Sequence, residues 1–239
     1  MSAQEIRRNA RYIMSDNSPN VYLVSLLFVV LITVMSGLQD DLLGISRTLE
    51  RYFEQVAEGN FASIFNYISI RPGGIPLAIA IWLLTTVLQV GYMSYSMKIA
   101  RAEEADAKDI FNGFYYFGKV LMIHLITRFM VLLWSLLFVI PGVMAEYSYR
   151  QVYYILLDDP EKSVFQCISE STHLMRGQRL ELFMLDFSFI GWQLLDSSVQ
   201  LFLLSYIPIP LPIVLIWLTP YTHLASVVFY NRKLTQMTL

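Results

Sequence analysis

The strongest constraint on this chain is a set of long apolar runs free of charge. Val21 to Leu38 and Pro76 to Met97 contain no Asp, Glu, Lys or Arg. A helix that crosses the hydrocarbon core of a bilayer needs roughly 20 mainly apolar residues. Only a backbone hydrogen-bonded within itself is stable there. Composition agrees, with 56% hydrophobic and 15% charged residues, where soluble domains carry about 25% charged. The expected fold class is all-α integral membrane. The lone cysteine, Cys167, excludes an intramolecular disulfide and a cysteine-only metal cluster within one chain; a small apolar role on a helix is the expectation for it.

Six spans are expected in a single polytopic domain over 1–239, at about 21–38, 76–97, 120–140, 142–157, 182–206 and 211–230. The fourth is short for a crossing. The segments between them read as amphipathic helices on the inner face. Ile6, Ala10, Ile13 and Met14 recur at helical spacing among Arg7, Arg8 and Arg11, the pattern of a basic surface helix. Asp16 to Ser18 offer N-caps and Pro19 a first-turn proline for the first span, which is expected to stay in the mature protein because no cleavage pattern follows it. Leu42, Ile45, Leu49, Tyr52, Phe53 and Val56 form one apolar face within 39–74. Ile110, Phe111, Phe114 and Phe117 give another before the third span. Asp159 as N-cap and Pro160 at the first position open a helix with Val164, Ile168 and Met175 on one face, closed by Gly177. Pro208, Pro210 and Pro212 mark a tight turn before the last span.

Basic residues orient the chain. Twelve of the 17 Lys and Arg lie on the side of the N-terminus, three (Arg47, Arg51, Arg71) on the other and two (Arg128, Arg150) inside spans. Both termini are therefore expected in the cytoplasm. An amphipathic segment precedes a membrane hairpin three times, before Val21, Val120 and Leu182. The pattern fits a threefold repeat, and it equally fits three surface helices entering a bilayer independently.

Local words in the second half carry a resemblance: the Pro141-Gly142 step, the Tyr-rich Tyr147 to Tyr154, Asp158-Asp159-Pro160-Glu161, Met175-Arg176-Gly177, Phe183 to Trp192, then Pro220-Tyr221 and Phe229-Tyr230. They resemble domain of unknown function 975, a bacterial family of multi-pass membrane proteins common in Gram-positive bacteria. The resemblance implies the bacterial cytoplasmic membrane as location and implies no reaction.

Ionisable residues within spans are the best pointers to function, because an unpaired charge near the bilayer centre costs about 2.5–3.5 kcal/mol even on the lenient insertion scale. The candidate polar cluster is Arg128, Glu146, Arg150, Asp186, Asp196 and His223, with His124 beside it. At ~1.5 Å per residue, Arg128 and Arg150 both fall near mid-depth. Glu146 and Arg150, four apart, can pair on one helix. Asp186 is within reach of Arg128 or His223, and Asp196 of Arg150. Tyr147, Tyr149, Tyr153 and Tyr154 surround Arg150 and offer hydroxyl partners or a cation–π face. Such a cluster either holds a bundle together or lines a cavity for a charged solute or headgroup.

Zinc, nucleophile-elbow, phosphate-loop and dinucleotide motifs are all missing, so no enzyme, metal or cofactor is expected. Asp186 with His223 is the pair a catalytic reading would use. The basic residues are explained by topology, and no nucleic-acid module is present. The leading functional expectation is a non-enzymatic accessory or lipid-interacting membrane component, its partners being membrane lipids and an unidentified membrane protein. The alternative is a small transporter or flippase-like protein binding an anionic substrate at the Arg/Asp cluster.

Overall fold

The computed structural model describes residues 3–17, 20–59, 71–204 and 212–238, and there is no strand among them. The helices are α1 (Ala3–Asp16), α2 (Asn20–Leu43), α3 (Ile45–Ala57), α4 (Ile75–Ala100), α5 (Phe117–Leu137), α6 (Val139–Tyr149), α7 (Val152–Asp158), α8 (Val164–Leu174), α9 (Arg179–Phe187), α10 (Ile190–Leu204) and α11 (Ile213–Thr238). Among the described residues, four stretches are long and apolar enough to cross a membrane: Asn20–Leu43, Pro72–Ala100, Ala107–Leu137 and Ile213–Gln236. They coincide with the first, second, third and sixth expected spans. The fourth and fifth are each divided in two, α6 from α7 at Arg150-Gln151 and α9 from α10 at Ser188-Phe189. Residues 205 and 206, Ser18, Pro19, Pro208 and Pro210 of the expected elements lie outside the described residues.

The described residues form two compact units, one of Val30–Thr85 and one of the residues up to Val29 with those from Thr86 onward. In the smaller unit, Gly44 adopts φ 75°, a left-handed conformation that costs glycine little, and this lets α2 turn into α3. The helix expected from the 42–56 pattern is present as α3, though the side chains of Leu49 and Phe53 lie outside the described residues. The amide of Arg71 donates to the Leu43 carbonyl at 3.4 Å. Gly74 then sits so close to the Leu42 carbonyl that no Cβ would fit.

In the larger unit, α1 buries Ile6, Ala10 and Met14 and packs on α9 and α11. The face expected to lie on a membrane surface is thus covered by protein. Phe28 of α2 stacks on Tyr92 of α4 with centroids 4.2 Å apart, and the Ser25 and Tyr92 hydroxyls are hydrogen-bonded at 2.7 Å. A 3-10 segment, Ala107–Tyr116, follows, opened by a reciprocal cap between Asp106 and Asp109. Its backbone lies against α4, where Gly91 meets the Ile110 carbonyl and Gly113 the Val87 carbonyl. Side chains three apart eclipse in such a helix, so Phe111, Phe114 and Phe117 form an exposed ladder while Ile110 is buried.

Helices α5 and α6 make a tight hairpin. Phe138 is extended between them, and Gly142 of α6 approaches Ser135 of α5 more closely than any Cβ would allow. The tip, Leu136 to Ile140, is an exposed run of large apolar side chains. Helix α8 starts later than its sequence suggests. Its N-cap is Ser163, in a capping box with Gln166. Residues Asp159 to Lys162 form a turn instead, because Lys119 reaches across to donate to the carbonyls of Pro160 and Lys162. Of the expected face, Met175 is buried and Val164 and Ile168 are half-buried, and Cys167, Ser171 and Leu174 are buried beside them. Gly177, at φ 76°, closes the turn after α8 as expected.

Candidate functional site

The six candidate residues do not form one cluster; they divide into three groups. Arg128 of α5 donates to Glu146 of α6 at 3.0 Å, a pair on the outside of the hairpin, with the Arg128 side chain 51% exposed. The hydroxyl of Tyr153 lies 3.2 Å from His124 Nδ1. Asp196 of α10 is buried and works as a cap: it accepts from the amides of Val214 and Leu215, at 3.1 and 3.3 Å, in the first turn of α11, and from the Gln200 side chain. A carboxylate there satisfies amides that the helix leaves unbonded. The expected reach of Asp196 to Arg150 is not made.

Arg150, Asp186 and His223 form the third group. The expected Glu146–Arg150 pair is not made: Glu146 accepts from Arg128, and Arg150, the C-cap of α6, faces Asp186 of α9. Its Nη2 lies 3.6 Å from Asp186 Oδ2, too long for a good charge-assisted hydrogen bond. The Tyr147 hydroxyl donates to the same oxygen at 3.2 Å. The Arg150 and Asp186 side chains are 44% and 29% exposed, and they open on a cavity of ≈ 340 Å³ that Met93, Tyr154, Phe183 and His223 also line. His223 Nδ1 is buried with no hydrogen-bond partner among the described residues, and its ring meets Tyr92 edge-on at 4.8 Å. Pro220, one turn earlier, removes the amide that would bond to the Ile216 carbonyl.

Both broken helices interrupt beside this cavity. At the first break the Gln151 amide donates to Ser171 Oγ of α8 at 3.3 Å, and Ser171 Oγ donates to the Ser148 carbonyl at 2.8 Å. One hydroxyl thus replaces helical bonds on both sides of the break. The Gln151 side chain is wholly buried, and neither of its amide atoms has a hydrogen-bond partner among the described residues. At the second break the Ser188 hydroxyl donates back to the Leu185 carbonyl at 2.6 Å.

A charged layer lies on one side of the cavity. Arg101 grips Asp158 with two nitrogens, at 2.5 and 3.0 Å, and donates to Asn231 at 2.9 Å; the Tyr230 hydroxyl donates to Asp158 at 2.7 Å. Met93, Arg150 and His223 each stand eight residues from Arg101, Asp158 and Asn231 respectively, which is ~12 Å along a helix. Half of a ~30 Å hydrocarbon core is about 15 Å. A second cavity of ≈ 810 Å³ opens at this layer, lined by Arg101, Asp158, Lys162, His173 and Tyr230 among others. Tyr154 lines the first cavity and Tyr230 the second, and their rings stack with centroids 5.3 Å apart. Asp158 and Tyr230 stand in the words that carry the family resemblance, but the layer itself is not legible in the sequence: its partners are 57 and 130 residues apart along the chain, and no local pattern links them.

No group of three or more His, Cys, Asp or Glu side chains placed to hold a metal ion occurs among the described residues. The fold and site define a class: an all-helical protein with helices of membrane-spanning length and a polar cavity beside two broken helices. The chain belongs to the family described as a protein of unknown function (DUF975), which it matches over residues 1–145 and 136–237. No curated protein and no solved structure matches it.

Proposed function

We propose that this is a non-enzymatic, multi-pass protein of the bacterial cytoplasmic membrane that takes a charged solute or lipid headgroup into the Arg150–Asp186 cavity, as a small transporter or flippase-like protein does. The observation that carries the reading is the meeting of two interrupted helices at one polar cavity, with a loose ion pair on its wall. Inside a bilayer, non-helical backbone is tolerated where it lines a water-filled cavity or is buried in protein, and discontinuous helices at mid-depth are where transporters bind substrate. On this reading α6 with α7 and α9 with α10 are broken spans, which makes six spans in all, and the bias in basic residues puts both termini in the cytoplasm. The repeat of surface segment plus hairpin belongs to the same proposal, with α1, the 3-10 segment and α8 as its leading elements. The larger cavity is then the inner vestibule, and the Tyr154–Tyr230 stack is the partition between the two.

The accessory or lipid-interacting reading has its own support in the exposed Phe111–Phe114–Phe117 ladder and the apolar tip of the α5–α6 hairpin. Both suit a lipid boundary, and both are compatible with transport.

The test uses a Cys167→Ser background carrying Arg150→Cys, with thiol reagents of graded size applied to intact cells. A water-filled cavity gives labelling by small soluble reagents that falls off with reagent size. An Arg150→Cys thiol silent to every reagent, beside a reactive control at Ser163→Cys in opened vesicles, means a dry structural cluster and ends the transport reading.

A further inference from the structure

From the charge arrangement of the cavity we infer that its ligand is a compact zwitterion, carrying an ammonium and a carboxylate or phosphate a few bonds apart. This rests on the proposed function above and names the substrate class of the same site. It also departs from the anionic substrate that the Arg/Asp cluster suggests when read from sequence.

A singly charged ligand would meet both charges of the cavity wall at once. Arg150 and Asp186 face the cavity together, 3.6 Å apart. In a site of low dielectric the interaction between unit charges at that range is several-fold stronger than in water. An anion held by Arg150 therefore lies beside the Asp186 carboxylate and is repelled by it. A simple cation at Asp186 meets Arg150 in the same way. A ligand with both charges satisfies both walls and leaves the site neutral, which is the condition a desolvated site favours.

The ion pair is built to be opened. Other charges that join segments of this unit are held tightly: Arg101 on Asp158 at 2.5 Å, Arg232 and Lys233 on Glu181 at 2.7 and 2.9 Å. Arg150 on Asp186 is about 1 Å longer than the usual charge-assisted bond, and Asp186 is kept in place from behind by the Tyr147 hydroxyl. A ligand can enter between the two charges without breaking a strong hydrogen bond.

The rest of the wall suits the ammonium end and a small size. Tyr147, Tyr154, Phe183 and Phe187 supply aromatic faces on the cavity lining, and such faces attract an ammonium. A volume of ≈ 340 Å³ is at the small end of ligand pockets. His223, with Nδ1 buried and without a hydrogen-bond partner among the described residues, adds an imidazole to the lining. One chemistry has two sources here, a free zwitterionic solute or the headgroup of a zwitterionic lipid reached from the side.

The experiment compares thermal unfolding midpoints of the full chain in detergent and in lipid nanodiscs. In detergent the probes are glycine and glycerophosphoethanolamine as free zwitterions, acetate and inorganic phosphate as anions, and ethanolamine as a cation. In nanodiscs, phosphatidylethanolamine is compared with phosphatidylglycerol. The expected result is a midpoint raised by a zwitterion and by neither kind of singly charged probe. A rise with the free zwitterions identifies a solute site; a rise with phosphatidylethanolamine alone identifies a headgroup site. Asp186→Asn and Arg150→Gln each abolish the rise, and Arg128→Gln, outside the cavity, keeps it. Equal stabilisation by acetate or ethanolamine, or no stabilisation by any zwitterion in either medium, overturns the inference. If Asp186→Asn does not fold, the comparison of probes on the unmodified chain decides alone. Labelling of Arg150→Cys without any zwitterion effect leaves the cavity reading standing and removes only this one, whereas a silent Arg150→Cys removes both.

Discussion

At the scale of single residues, the same chemistry has different consequences according to what surrounds it. Asp186 and Asp196 are both acids of one expected span, yet one lines a cavity and the other is a buried cap on α11. Glu181, just ahead of the expected fifth span at 182–206, shows a third outcome. Burial raises its pKa, but the hydrogen bond and charge of Lys233 and the charge of Arg232 more than reverse this, and the carboxyl is held below the usual carboxylate range. A carboxyl whose native pKa is depressed stabilises the fold above its unfolded value, about 4.3 for Glu, and that contribution is lost as pH falls through the lower native value. Comparing acid unfolding of the unmodified protein with Glu181→Gln checks this: the variant is less stable at neutral pH, and the gap narrows as pH drops below about 4.3. A gap independent of pH would mean that the ion pairs to α11 contribute nothing.

At the scale of elements, the α6–α7 break depends on a side chain from a third helix. Ser171 is fully buried and bonds to both edges of the break. Ser171→Ala leaves a buried carbonyl and a buried amide without partners, at a cost of about 1–3 kcal/mol for each such group. Ser197→Ala removes only a bond back to the Gln193 carbonyl on an exposed face and is expected to change stability by less than about 0.5 kcal/mol. Unfolding of both variants in micelles, read by circular dichroism, measures the contrast. The break itself has no signature in the local sequence. Tyr147 to Leu157 carries Arg150 and Gln151 but neither the Gly nor the Pro that would announce an interruption. The 3-10 segment was half visible: its Phe111–Phe114–Phe117 spacing of three is the spacing of such a helix, but the close Gly91–Gly113 contact that holds it on α4 is made only in the fold.

At the scale of the whole molecule, six spans and a shallow hairpin make different predictions for labelling. In a Cys167→Ser background, Phe138→Cys at the hairpin tip is expected to react with an impermeant reagent from outside intact cells, and Ser163→Cys only after the membrane is opened. A tip that is silent from both sides while Ser163→Cys still labels from inside makes α5–α6 a hairpin that stops within the bilayer, and the span count falls to four. The extent of the apolar helices was legible in the sequence, because charge-free runs of that length act locally: each residue adds its own transfer free energy to the membrane, whatever its neighbours in space. The family was legible too, through short words such as Pro141-Gly142 and Met175-Arg176-Gly177. The ion pairing was not. Arg150 lies one turn from Glu146 and meets Asp186 instead, while Arg128 of α5 holds Glu146. The sequence by itself determined which stretches belong in a bilayer and which charged residues need explaining. Only the tertiary structure decided which of those charges meet, since a Coulomb interaction depends on separation in space, and helix breaks held by distant side chains set that separation.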